Sequence, residues 1–103
     1  MIPVFKPLMR TSEILSEISP VLDSGWIGKG KKVSEFEETL RSYLGCGYFV
    51  ATNSGTAALH LAVKSLDLPR GSKVLTTPIT FASTNLVLLQ EGLCPVFCDV
   101  QPK

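Results

Sequence analysis

Excess charge of either sign is missing from this sequence: ten Lys and Arg against nine Asp and Glu leave a formal net charge of +1. Such a balance supplies no field for nucleic acid or an acidic membrane surface. Lys29, Lys31 and Lys32 form a short basic cluster, which reads as a solvated loop rather than a polyanion site. Long hydrophobic runs are missing too, and none approaches the roughly 20 apolar residues that a spanning helix needs. The N-terminal MIPVFKPLMR is interrupted by Pro3 and Lys6 and leads to no cleavage site, so it lacks the pattern of a signal peptide. The expectation is a cytoplasmic protein with no nucleic-acid and no membrane partner.

Metal and redox chemistry are poorly provided for. Cys46, Cys94 and Cys98, with the single histidine His60, make no CxxC or Cys/His ligand pattern. An extended Cys94–Cys98 stretch would hold its ends about 13 Å apart, too far for a disulfide. No metal site is expected; reduced, partly buried thiols are, and His60 reads as a packed or surface residue. GxGxxG and GxxxxGK[ST] are also absent, which sets aside a dinucleotide fold and a P-loop. There is no internal repeat and no low-complexity segment.

What is present suits one small globular domain: 103 residues, 45% hydrophobic and 18% charged. Residues 1–10 read as an extended arm. From Thr11 or Ser12 as cap, Ile14, Leu15, Ile18, Val21 and Leu22 form a helical apolar stripe, with Pro20 as a kink or new start and Ser24-Gly25 as the stop. After the loop GWIGKGKK, the residues Val33, Phe36, Leu40, Tyr43 and Leu44 recur at helical spacing until Gly45 and Gly47. Then come a strand at Tyr48–Thr52, a helix at Ala57–Leu66, a strand at Val74–Thr77, a helix at Phe81–Gln90 and a strand at Pro95–Val100. That alternation predicts an α/β fold: a parallel βαβαβ core preceded by two helices. Three parallel strands alone would leave open edges, and the chain stops at Asp99–Lys103 just after a strand. The pattern therefore anticipates the front part of a longer protein.

The junction Asn53-Ser54-Gly55-Thr56-Ala57 carries the sharpest chemical signal. Asn53 or Ser54 can cap the helix that follows. The same helix start offers unpaired N–H groups and the positive end of a macrodipole, Gly55 allows close approach, and the Ser54 and Thr56 hydroxyls can donate. Such a start can hold a phosphate at the carboxyl end of a strand. Taken alone, SGTA leaves a ligand-free cap and a phosphate cradle both open. The next junction, Pro78-Ile79-Thr80-Phe81-Ala82-Ser83-Thr84, places Phe81 where its ring could cover the same pocket. A lone phenylalanine is otherwise ordinary core. Together the two strand ends describe a pocket for a flat, phosphorylated ligand.

Three stretches, SGWIGKGKKVSEFEE, ATNSGTAALHLA and PITFASTNLVLLQEGLCPVFCDV, resemble the start of the DegT/StrS-like sugar aminotransferases, pyridoxal-phosphate (PLP) enzymes of fold type I. The likeness covers nearly the whole chain in order and spacing. It implies that residues 1–103 are the N-terminal part of a three-layer α/β/α large domain, truncated relative to the family. It implies that Ser54, Gly55, Thr56 and Ala57 hold the cofactor phosphate, that Phe81 stacks on the pyridine ring, and that Trp26, Ile27 and Gly28 serve the substrate side. It further implies amino transfer from glutamate to a nucleotide-linked keto sugar, for polysaccharide or glycoside biosynthesis, in a homodimer.

In family members the Schiff-base lysine and the aspartate that pairs with the pyridinium nitrogen lie beyond position 103. None of the seven lysines here (Lys6, Lys29, Lys31, Lys32, Lys64, Lys73, Lys103) matches that context. No catalytic residue is assigned, and these 103 residues alone are expected not to transaminate. Dehydration on the same scaffold is an open variant for the longer protein. A non-catalytic α/β module binding a phosphorylated ligand or partner, or an inactive fragment, is the alternative if the natural chain ends near Lys103.

Overall fold

The computed structural model describes residues 6–99. Residues 1–5 of the expected arm and the end of the last expected strand, Val100, lie outside the described residues. The chain divides into two compact units, Met1–Phe49 and Val50–Lys103.

The first unit carries two helices, α1 (Thr11–Asp23) and α2 (Lys31–Leu44). Neither Thr11 nor Ser12 caps α1; Arg10 occupies the cap position without a side-chain bond. The helix runs through Pro20, which forfeits one N–H bond near the end of the helix, and the Ser24 N–H closes on the Pro20 carbonyl at 3.1 Å. At the other helix, Gly45 adopts φ 64°, and the N–H groups of Gly45 and Cys46 donate to the Ser42 and Arg41 carbonyls. That pattern needs a left-handed residue, which glycine supplies without a Cβ penalty. Phe36 and Phe49 meet edge to face at 6.1 Å. The lysine cluster is solvated and paired: Lys29 with Glu37, Lys31 with Glu35, and Lys32 with Glu17 and Glu35.

The second unit carries α3 (Gly55–Ser65), β1 (Lys73–Thr76), α4 (Ser83–Gln90) and β2 (Cys94–Phe97). β1 and β2 pair in parallel, from Lys73 opposite Cys94 to Thr76 opposite Phe97. A parallel pair needs a crossover, and α4 supplies it, packing against both β2 and α3. The core is small: Val87 and Leu88 of α4 and Leu93 before β2 are buried. The turns entering the strands are joined by the Gly71 N–H on the Gly92 carbonyl at 2.8 Å. Gly92 has φ 72°, and a Cβ there would come within 2.9 Å of the Arg70 guanidinium.

The fold is α/β, as the alternation predicts, but the first expected strand is not formed among the described residues. Tyr48–Thr52 carries no strand assignment, and Tyr48 and Val50 are exposed. A strand exists only by its ladder with a neighbour, and the sheet described here contains β1 and β2 alone. The thiols also differ from expectation: Cys46 is half-buried, whereas Cys94 and Cys98 are exposed. Phe97, at the end of β2, is exposed as well. Among the described residues no helix is long and apolar enough to cross a membrane, and no group of three His, Cys, Asp or Glu side chains is placed to hold a metal ion.

Candidate functional site

The start of α3 resolves the local chemistry of SGTA. Ser54, in extended backbone, is the N-cap, and its hydroxyl accepts from the Ala57 N–H at 3.1 Å. Its carbonyl accepts the Ala58 N–H, also at 3.1 Å. Helix geometry leaves the Gly55 and Thr56 N–H groups without an intrahelical acceptor. No acidic side chain stands in the first turn to offset the positive end of the dipole. A Cβ added at Gly55 would meet nothing within 4 Å, so the approach to these donors is open. Capping and anion binding are thus compatible, because the cap uses Ser54 Oγ and the Ala57 N–H and leaves two backbone donors over.

The second junction lies beside the first. Thr56 Oγ1 and Ser83 Oγ are 2.7 Å apart, which ties the first turn of α3 to the first turn of α4. Ser83 is buried. Asn85, one half-turn further along α4, accepts from Thr76 Oγ1 at 2.7 Å and donates to the Thr77 carbonyl at 3.2 Å. Both helix starts are therefore fixed at the carboxyl end of β1, the end at which open α/β sheets bind ligands.

Contrary to the expectation of a helix from Phe81, α4 starts at Ser83; Phe81 stands in the turn before it, and its carbonyl accepts the Thr84 N–H at 3.0 Å. Phe81 is 80% exposed. Burial would have made it ordinary core, and the exposure leaves a whole ring face free for a planar group. These residues fit a cofactor with a phosphate and a flat ring: donors without acceptors, a hydroxyl held in place, open space and a free aromatic face.

Further along α3, His60 Nε2 at its middle lies 2.5 Å from Glu91 Oε1, and Lys64 Nζ in its last turn lies 3.6 Å from the same oxygen. The His60 hydrogen bond, followed by the charge of Lys64, holds the Glu91 carboxyl below its ordinary range against the opposing effect of burial. Lys64 is thus paired in the last turn of α3, at the opposite end of the helix from Ser54.

Trp26, Ile27 and Gly28 belong to the first unit. The Trp26 indole N–H donates to the Lys29 carbonyl at 3.0 Å and its amide to Ser24 Oγ at 3.2 Å. The indole lies against Gly30, where a Cβ would approach it to 2.6 Å. Trp26 and Gly28 line a cleft of about 530 Å³ with Pro20, Val21 and Val33, and Ile27 is exposed. Ser83 and Asn85 are the site residues that sequence reasoning passed over. Their signal was the run of hydroxyl and amide side chains in FASTN, which only the tertiary contact turns into a network.

Residues 9–103 match the sequence model of the DegT/DnrJ/EryC1/StrS aminotransferase family. The chain is 41% identical over 99 residues to the spore coat polysaccharide biosynthesis protein SpsC of Bacillus subtilis, covering 96% of this chain and 25% of that protein. It is 40% identical over 105 residues to the dTDP-4-dehydro-2,3,6-trideoxy-D-glucose 4-aminotransferase of Saccharopolyspora spinosa, covering all of this chain and 27% of that enzyme. Among solved structures, Spr1654 of Streptococcus pneumoniae in its PLP form superposes with a TM-score of 0.88 at 35% identity, over 97% of this chain and 25% of that one. The Escherichia coli GDP-4-keto-6-deoxy-D-mannose-3-dehydratase with bound hydrated PLP gives 0.86 at 26% identity, over 96% and 27%. The chain spans about a quarter of the length of the curated relatives it matches. With that family's model matching all but the first eight residues, the chain belongs to the DegT/DnrJ/EryC1/StrS aminotransferase family.

Proposed function

We propose that residues 1–103 are the amino-terminal part of a PLP-dependent sugar aminotransferase and contribute its phosphate cradle and one ring face. The observation that carries this reading is the open start of α3, capped by Ser54, flanked by an anchored Thr56 hydroxyl and adjoining the turn that carries the exposed Phe81. When bound, PLP supplies an electrophilic carbonyl and an electron-accepting ring. The Gly55 and Thr56 N–H groups and the Thr56 hydroxyl bind its phosphate, joined by Ala57 at the dipole end and by Ser54, which shapes the turn. Phe81 holds the ring from one face and keeps water from that side. Trp26, Ile27 and Gly28 serve the sugar side.

The substrate is a nucleotide-linked keto sugar and the donor glutamate, in a cytoplasmic homodimer that serves polysaccharide or glycoside biosynthesis. The S. spinosa relative, named for a dTDP-keto-sugar aminotransferase activity, supports the substrate class. A second reading, dehydration of a keto sugar, is favoured by the structural likeness to the PLP-bound E. coli dehydratase.

The test is intact mass and peptide mapping of the natural gene product after PLP loading and borohydride reduction. One pyridoxyl adduct on a lysine outside residues 1–103 supports the aminotransferase. Bound PLP without any adduct supports the dehydratase. No PLP binding overturns both. The 103 residues by themselves do not transaminate on this reading, since none of their seven lysines matches the family's Schiff-base context.

A further inference from the structure

We infer that Ser83 is a positioning residue for the phosphate cradle, acting through Thr56; this rests on the functional reading above. Thr56 stands in the exposed first turn of α3, where a threonine hydroxyl free to rotate would spend much of its time bonded to water. Ser83 removes that freedom. It is buried, its hydroxyl lies 2.7 Å from Thr56 Oγ1, and it sits on a helix start fixed to the end of β1 by Asn85.

Two hydroxyls that share one hydrogen bond leave one proton over, and its position decides the function. An anion at the start of α3 accepts from Thr56, so Thr56 Oγ1 becomes the acceptor for Ser83. The order Ser83 O–H to Thr56 Oγ1, then Thr56 O–H to phosphate oxygen, aligns both dipoles toward the negative charge, and each bond polarises the next. The reverse order would turn the Thr56 proton inward and present a lone pair to the anion. A phosphate therefore selects one direction of a bond that is otherwise free to take either. Alanine at position 83 would leave Thr56 in place but unaligned.

The test is a double-mutant cycle on the natural gene product carrying this segment, read as Kd in equilibrium titration with PLP, with circular dichroism to check folding. Ser83→Ala is expected to raise Kd about 2- to 10-fold, the worth of one neutral hydrogen bond. Thr56→Val is expected to raise it further, and Ser83→Ala should cost nothing more in the Thr56→Val background. If Ser83→Ala does not fold, Ser83→Cys, a weaker donor of similar volume, carries the same cycle with the same expected non-additivity. An unchanged Kd in Ser83→Ala, or an equal factor in both backgrounds, overturns the positioning role while leaving the cradle intact. An unchanged Kd in Thr56→Val overturns the hydroxyl's part in phosphate binding and the positioning role with it, whereas wild-type protein that binds no PLP overturns the cradle itself.

Discussion

Replacing Ser54 separates the two jobs that the start of α3 can do. Ser54→Ala removes the acceptor of the Ala57 N–H and should cost about 1 kcal/mol of stability, the usual worth of an N-cap. Ser54→Asp behaves differently, because aspartate caps as well as serine and its charge suits the helix dipole. Stability should therefore stay within about 0.5 kcal/mol of wild type, the spread of ordinary surface changes. The same carboxylate faces any phosphate held by Gly55 and Thr56. Two unit charges about 4 Å apart repel by about 1 kcal/mol in bulk water and about 4 kcal/mol at the effective dielectric of a protein surface. Affinity for PLP should then fall at least about fivefold, and several hundredfold at the upper limit. The assay pairs thermal unfolding with PLP titration on the natural gene product. An aspartate variant that keeps both its stability and its PLP affinity would refute the cradle, and an alanine variant as stable as wild type would refute the cap.

Three further outcomes are expected. Phe81→Ala should leave stability within about 0.5 kcal/mol, because the residue is 80% exposed, while weakening PLP binding; a large drop in melting temperature with unchanged affinity would make Phe81 structural. Leu88→Ala, in the small core of the second unit, should destabilise by about 2–5 kcal/mol in chemical denaturation, and a cost under 1 kcal/mol would show that α4 is not the centre of that core. Glu91 titrates lower in the folded chain than in the unfolded one, so its stabilising contribution is complete above the ordinary glutamate range, near pH 4.3, and is lost as pH falls through its own lowered value. Glu91→Gln should flatten the stability profile in that acid window and leave the slope at neutral pH unchanged; an unaltered acid profile would deny the His60–Glu91–Lys64 link.

Local signals were the ones most fully legible in the sequence. Gly45 ends α2 because the chain needs a left-handed residue there, and Ser54 caps α3 because a hydroxyl before a helical run has few better uses. The helix limits shift by one to two residues: α3 starts at Gly55 rather than Ala57, and α4 at Ser83 rather than Phe81. Each shift follows from cap geometry, which periodicity does not encode. What depends on a neighbour in space was not legible. Tyr48–Thr52 has the composition of a strand yet carries no ladder among the described residues. Cys94 and Cys98 have buried-type side chains, but they stand at an edge and are exposed. The Thr56–Ser83 bond joins residues 27 positions apart, and nothing in either local pattern announces the other. The family resemblance singled out Thr56 as an expected phosphate contact; the packing of α3 on α4 shows how its hydroxyl is held.

The most direct measurement is a crystal structure of the natural gene product with PLP. The phosphate is expected within hydrogen-bond distance of the Gly55 and Thr56 N–H groups and of Thr56 Oγ1, with the Phe81 ring against the pyridine. A phosphate bound elsewhere, with the start of α3 facing only water, would contradict it.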